Sequence, residues 1–307
     1  MKKILITGAT SMLGLALINE CLKKQTKVVA VIREDSRKGG LIPDNPLITV
    51  VQSNLHNLKA LTLGLDEGLD AFYHFAWFST DNKSRNLVED QNSNIQYTLD
   101  AVNLAARLGC KKFIGAGSQA EYGRVTGRIS QDMRVFPDSA YGIAKYAAGR
   151  LSAILCKQLG MDFIWTRIFS TYGINDMPST MIMYTIDSLL DKRKPMLTKC
   201  EQVWDYLNCR DAAKAFYLVG QKGHDQAVYN IGSGQAHSLS QFVYKIRDAI
   251  DPSLELGIGE KEYAPQQVMS LCADISNLVK DTGFQPEISF DEGIVETINW
   301  YKENMLK

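Results

Sequence analysis

The sequence predicts an α/β fold, a doubly wound parallel sheet joined to a smaller C-terminal lobe. Three observations predict it. Short apolar runs alternate with helical patterns through the first 170 residues. A glycine-bearing turn joins the first run to the first helix, and beyond residue 170 the alternation stops. Short apolar runs suit strands covered on both faces, and strand–helix repetition makes neighbouring strands parallel.

Taken in order, "KILIT" (3–7), "KVVAVI" (27–32), "LITVV" (47–51), "LDAFYHF" (69–75), "KKFIGAG" (111–117) and "DFIWTRI" (162–168) are expected strands. Helices are expected at about 12–25, 85–108 and 140–159; in the second, Leu87, Ile95, Leu99, Val102 and Ala106 form an apolar stripe. "TYGINDMPS" then supplies turn formers. A helix over 179–193, the run "VWDYL" (203–207), a helix over 209–220 and the run "AVYNIG" (227–232) follow. Two helices near 238–250 and 289–305 come last. The expected organisation is a first domain over 1–170, with 203–235 returning to its sheet, and a lobe over 171–202 and 236–307. A cleft between them would lie above the C-terminal ends of the strands, where open α/β sheets take ligands.

Composition narrows the function. The chain has 307 residues, 45% apolar and 22% charged, an ordinary globular balance. Its formal net charge is zero, which offers no field for nucleic acid or an anionic membrane surface. No apolar run approaches the ~20 residues that span a bilayer. "MKKILITGAT" breaks too early for a signal peptide and reads as the first strand of a cytoplasmic protein. The six cysteines form no C-x-x-C pair and the four histidines show no ligand spacing, so neither disulfides nor a metal are expected.

The turn "ITGATSMLGLAL" carries the first chemistry. Gly8 makes a tight turn, and Gly14 lets the helix approach the sheet. The helix N-terminus then offers free N–H groups to a pyrophosphate. The first domain is therefore expected to bind a dinucleotide, and the second lobe its substrate. Ser11 stands where a glycine is usual, and its hydroxyl is a further donor to phosphate. The second strand ends in "AVIREDS". An acid there would hold the 2′-hydroxyl of NAD, but Ile32 occupies the place and Arg33 follows, with Arg37 and Lys38 nearby. A guanidinium matches a 2′-phosphate, which favours NADP(H) over NAD(H) despite Glu34 and Asp35.

The second chemistry is "SAYGIAKYAA" (139–148), with Tyr141 and Lys145 on one helix face. Ser118 closes the fifth run in "GAGSQAEYG". Phosphate turn, Ser118, Tyr141 and Lys145 come in the order and spacing of the extended short-chain dehydrogenases/reductases, the NAD-dependent epimerase/dehydratase family, which the chain resembles along nearly its whole length. "YHFAW", "NIQYTLDAVNLAARLGCKKFIGAGS", "RIFSTYG", "DYLNCRDAAKA" and "YNIGSG" add to the likeness.

The resemblance implies a Rossmann fold and roles for residues. Ser118 would bond the substrate oxygen, Tyr141 would act as general acid/base, and Lys145 would bind the nicotinamide ribose and lower the tyrosine pKa. It implies cofactor contacts from Gly8, Thr10, Ser11, Met12, Leu13 and Gly14, then from Arg33, Asn54 and Leu55. Phe75, Ala76, Lys145 and Ile168 complete that set. Substrate contacts are implied for Trp77, Gln119, Ser170 and Trp204. Asn54 replaces a common aspartate at the adenine, Ser170 replaces a common asparagine, and Trp204 replaces a frequent basic residue, either stacking on substrate or packing in a core.

Sugar 4,6-dehydratases of the family carry adjacent Asp-Glu where this chain has Gln119 and Ala120, which speaks against elimination. The resemblance is strongest to nucleotide-sugar 4-ketoreductases, and reduction of a nucleotide-linked 4-keto-6-deoxyhexose with NADPH is expected. A 4-epimerase retaining NAD is the alternative, ahead of a dehydratase or a cofactor sensor without catalysis. Family members commonly dimerise through the helices near 90–108 and 140–159, so a homodimer is expected.

Overall fold

The computed structural model describes residues 1–64, 68–81, 83–265 and 267–305. Five strands open the chain: β1 (Lys3–Thr7), β2 (Lys27–Ile32), β3 (Ile48–Gln52), β4 (Ala71–His74) and β5 (Lys112–Ser118). With strands Asp162–Ile168 and Ala227–Ile231 they form one seven-stranded sheet, all of whose pairings are parallel. From β3 the order runs β2, β1, β4, β5, Asp162–Ile168 and Ala227–Ile231. It therefore reverses between β1 and β4, and the crevice at that switch lies beside the glycine turn.

Helices cover both faces. On one, α1 (Met12–Lys23), α5 (Cys209–Lys222) and α7 (Ser276–Thr282) seal a core built on Ile4, Ile6, Leu17, Ile18, Phe216 and Leu278. On the other, α2 (Val88–Arg107) and α3 (Ala140–Gln158) close over Leu5, Phe72, Phe113, Ala101, Ala105 and Ala148. Neighbouring strand positions feed opposite cores, as a two-fold side-chain period requires. The second lobe packs α4 (Met181–Leu190), α6 (Leu239–Ile250) and α8 (Phe290–Asn304) around Ile186, Ile246 and Ile298. Among the described residues no helix is long and apolar enough to cross a membrane.

The 203–235 stretch divides. Ala227–Ile231 joins the edge of the large sheet and α5 packs on its face, whereas Val203–Trp204 and Tyr206–Asn208 pair outside it. Val203–Trp204 lies between His237–Ser238 and Ser270–Ala273, and Tyr206–Asn208 pairs with Ser170–Tyr172. Asp205 fixes this arrangement. Its buried carboxylate accepts the N–H groups of Ser233, Gly234 and Ala273 at 2.8, 3.0 and 3.0 Å.

The second helix begins at Val88 rather than 85. The Asp81 carboxylate accepts the N–H of Lys83 at 2.9 Å, and the Asp81 carbonyl accepts that of Arg85 at 2.9 Å. These bonds hold residues 83–85 in a turn and defer the helix.

Candidate active site

A cavity of about 960 Å³ opens above the C-terminal ends of the strands. Its floor is the β1–α1 turn. Gly8 has φ +69°, and a Cβ there would come within 2.7 Å of the Ala76 nitrogen. Gly14 lies under the turn, not on the cavity wall; a Cβ on it would run into the Gly8 carbonyl oxygen. Ser11 caps α1, its Oγ accepting the Gly14 N–H at 3.1 Å. That spends the Ser11 side chain on the helix, while Met12 and Leu13 keep first-turn N–H groups without an intrahelical acceptor. No acidic residue sits in this turn. The cradle fits a dinucleotide pyrophosphate: glycine where a side chain would fill it, and a positive helix end facing it.

The opposite wall carries Ser118, Tyr141 and Lys145. Ser118 ends β5 and begins a short 3₁₀ turn in a capping box, its N–H donating to Glu121 Oε1 at 2.8 Å and its Oγ accepting the Ala120 N–H at 3.2 Å. Tyr141 stands in the first turn of α3, whose cap is doubly fixed. Ser139 Oγ accepts the Gly142 N–H at 3.1 Å, and Asn86 Oδ1 accepts the Ala140 N–H at 3.2 Å. One helical turn on, the buried Lys145 Nζ donates to the Ala116 carbonyl at 2.6 Å and rests 3.6 Å from the Trp77 ring centroid. Trp77 meets Tyr141 edge to face at 6.1 Å.

Burial pushes the Tyr141 phenol above its ordinary value; Arg85 and a Ser118 hydrogen bond oppose the rise, and Glu121 adds to it. Burial also brings Lys145 down to about 7, against a weaker pull from Glu121. Desolvation of an ammonium outweighs a carboxylate already committed elsewhere. His74 is also buried, contacts Thr7 Oγ1 through Nδ1 at 2.8 Å, and is brought to about 3 by burial and by Lys145, so it stays neutral.

Lys145 gives a stability prediction. Between about 7 and its ordinary 10.5 the folded protein binds this proton less than the unfolded chain does. Stability from this group therefore rises with pH across that window, and the buried charge destabilises fully below it. Lys145→Met is expected to raise Tm by a few degrees at about pH 6 and by much less at about pH 10, read by thermal denaturation.

Most residues selected from sequence line this one cavity: Gly8, Thr10, Ser11, Met12, Leu13, Arg33, Leu55, Phe75, Ala76, Trp77, Ile168 and Ser170 join the three above. Four others do not: Gly14, which lies under the turn, and Asn54, Gln119 and Trp204. Asn54 lies between the wall residues Ser53 and Leu55 and supplies only its carbonyl to a short 3₁₀ helix. Gln119 begins the turn after Ser118 and is off the wall. Trp204 is off the wall too, but its Nε1 donates to Ser170 Oγ at 2.7 Å. Sequence reasoning missed Lys38 as a wall residue, the loop residues Ser79, Asp81 and Arg85, and Asp176. Asp176 is buried against Met177 N and Thr180 Oγ1, and burial raises it to about 6. No motif marks these positions.

With the glycine turn and the Ser–Tyr–Lys set facing each other across one cavity, fold and site define a nicotinamide-dinucleotide-dependent enzyme. The model of the "NAD dependent epimerase/dehydratase family" matches residues 4–232. The chain belongs to that family, the extended short-chain dehydrogenases/reductases. It is 24% identical over 321 residues to a dTDP-glucose 4,6-dehydratase of Streptomyces antibioticus, covering 98% of this chain and 92% of the relative. It is 26% identical over 319 residues to a trifunctional UDP-glucose 4,6-dehydratase/UDP-4-keto-6-deoxy-D-glucose 3,5-epimerase/UDP-4-keto-L-rhamnose-reductase of Arabidopsis thaliana, covering 99% of this chain but only 47% of that longer protein. The fold matches a UDP-glucose 4-epimerase of Thermotoga maritima with TM-score 0.88 at 21% identity, over 99% of each chain.

Proposed function

We propose that the protein reduces the 4-keto group of a nucleotide-linked 4-keto-6-deoxyhexose with NADPH, Tyr141 giving the proton. The observation that carries this reading is geometric: Ser118, Tyr141 and Lys145 line one wall of a cofactor-sized cavity, across from the glycine turn. A phenol on that wall can pass its proton to a carbonyl oxygen that becomes a hydroxyl, provided neighbouring cations offset the rise in its pKa on burial. When bound, the nicotinamide supplies the hydride. Ser118 would hold the substrate oxygen, Lys145 the nicotinamide ribose, and Met12 and Leu13 the pyrophosphate.

Elimination is disfavoured on this wall. Gln119 and Ala120 bear no acid, and Glu121 is fully buried, bonded to Trp165 Nε1 at 2.9 Å and Arg167 Nε at 2.8 Å. Arg33 and Lys38 line the cavity at the end of β2 while Glu34 and Asp35 do not, and this supports NADPH. Arg33 is shared only loosely with Asp35, at 3.8 Å. We expect a lower Kd for NADPH than for NADH, and Arg33→Ala to weaken NADPH by about tenfold while leaving NADH unchanged, a loss of ~1.4 kcal/mol.

The epimerase reading is the second, favoured by the match to the fold of a UDP-glucose 4-epimerase. Product analysis separates them. NADPH oxidation with a 4-keto-6-deoxy sugar nucleotide supports reduction; interconversion of a 4-hydroxy sugar pair without added cofactor replaces it with epimerisation. Exposed Ile143, Leu151 and Ile154 on α3 support a homodimer, which light scattering tests.

A further inference from the structure

We infer that Arg85 is a positioning residue for proton transfer at Tyr141: its guanidinium, held over the phenol ring by the β4–α2 loop, stabilises the phenolate whether or not Lys145 keeps its proton. This rests on the reading of Tyr141 as the proton donor. Arg85 Cζ lies 4.6 Å from the Tyr141 ring centroid, nearer than Lys145 Nζ at 5.7 Å. Lys145 is turned toward Trp77 and the Ala116 carbonyl instead. The Arg85 guanidinium forms no ion pair among the described residues, so its charge is not already spent.

The loop that carries Arg85 is built. The Phe78 N–H donates to Asn94 Oδ1 at 2.8 Å, and Asn94 Nδ2 donates back to the Phe78 carbonyl at 2.8 Å. Gln91 Nε2 donates to the Ser79 carbonyl at 2.9 Å, and Asn86 binds the first turn of α3 next to Tyr141. The loop is thereby joined to the first turn of α3, next to Tyr141.

Other charged groups face Tyr141 from every side. α3 contributes Lys145, which burial brings to about 7. The turn after β5 contributes Glu121, which opposes the phenolate but is paired with Arg167. From β4 comes His74, neutral. The loop adds Asp81, and across the cavity stands Asp176. A guanidinium alone keeps its charge across this whole pH range, and a cation within 4–6 Å favours the phenolate.

The test is ultraviolet titration of the phenol, taken as the difference between each protein and its Tyr141→Phe counterpart, with the pH profile of kcat alongside. Arg85→Gln is expected to raise the Tyr141 pKa by about one pH unit and to shift the kcat profile equally, while Arg85→Lys restores most of both. An unchanged titration in Arg85→Gln overturns the inference. So does an unchanged titration with a raised substrate KM, which makes Arg85 a substrate contact, and so does a wild-type phenol that stays un-ionised until alkaline unfolding. Full activity in Tyr141→Phe would instead remove the catalytic reading, and the titration reports on Arg85 independently of turnover.

Discussion

Tyr141→Phe is expected to lower turnover by about 10²–10⁴-fold, the usual contribution of a positioned general acid, with cofactor affinity nearly unchanged. The substitution removes one oxygen. The ring stays, and with it the edge contact to Trp77 and the Arg85 contact on its face. Lys145 keeps its bond to the Ala116 carbonyl and its place on Trp77, neither of which uses the phenol oxygen. Fold and ribose contact should therefore survive, and the loss should fall on kcat rather than on the cofactor Kd. Steady-state kinetics with cofactor titration by fluorescence reads both. A variant that keeps more than a tenth of wild-type kcat would mean that a water or Ser118 delivers the proton.

Glu121→Ala is expected to destabilise the fold by about 3–5 kcal/mol, the range for breaking a buried ion pair from one side. Glu121 is fully buried and serves three donors: the Ser118 N–H, Trp165 Nε1 and Arg167 Nε. Arg167 is itself buried, over the Tyr122 ring at 4.5 Å, and would be left as an unpaired charge. Denaturant melts read the loss. The companion Glu121→Leu with Arg167→Met is expected to recover much of the stability, since an apolar pair often replaces a buried ion pair without penalty. It should not recover turnover, because the Ser118 capping box stays broken. Recovery of both would show that Glu121 does nothing for Ser118.

The large sheet was legible because each strand is buried on both faces and so appears as an apolar run that needs no partner to be recognised. Ser118, Tyr141 and Lys145 were legible through the family resemblance, since a four-residue spacing puts Tyr141 and Lys145 on one helix face but does not by itself single them out. The β4–α2 loop was not. Its order comes from Gln91 and Asn94, polar helix residues that read as solvent-facing but are buried at 1% exposure each, with their amides turned back onto the loop backbone. Arg85 fell inside the helical period because periodicity does not see the Asp81 turn that delays α2. Gln119 begins a turn, and Trp204 packs against two apolar clusters while its Nε1 reaches the wall residue Ser170, neither of which periodicity shows. The two-residue strands of the second lobe are too short for any period, and what holds them, Asp205, is a single acid whose partners lie 28 to 68 residues away.

The indole on which the Lys145 ammonium rests gives the molecule a built-in optical gauge. Of its four tryptophans, Trp165 is sealed in a core, and Trp204 and Trp300 lie off the cavity wall. Of the four, Trp77 alone lines the cavity, so a change in intrinsic emission on adding a dinucleotide that Trp77→Phe abolishes is expected to report occupancy of the wall that Lys145 and Tyr141 share.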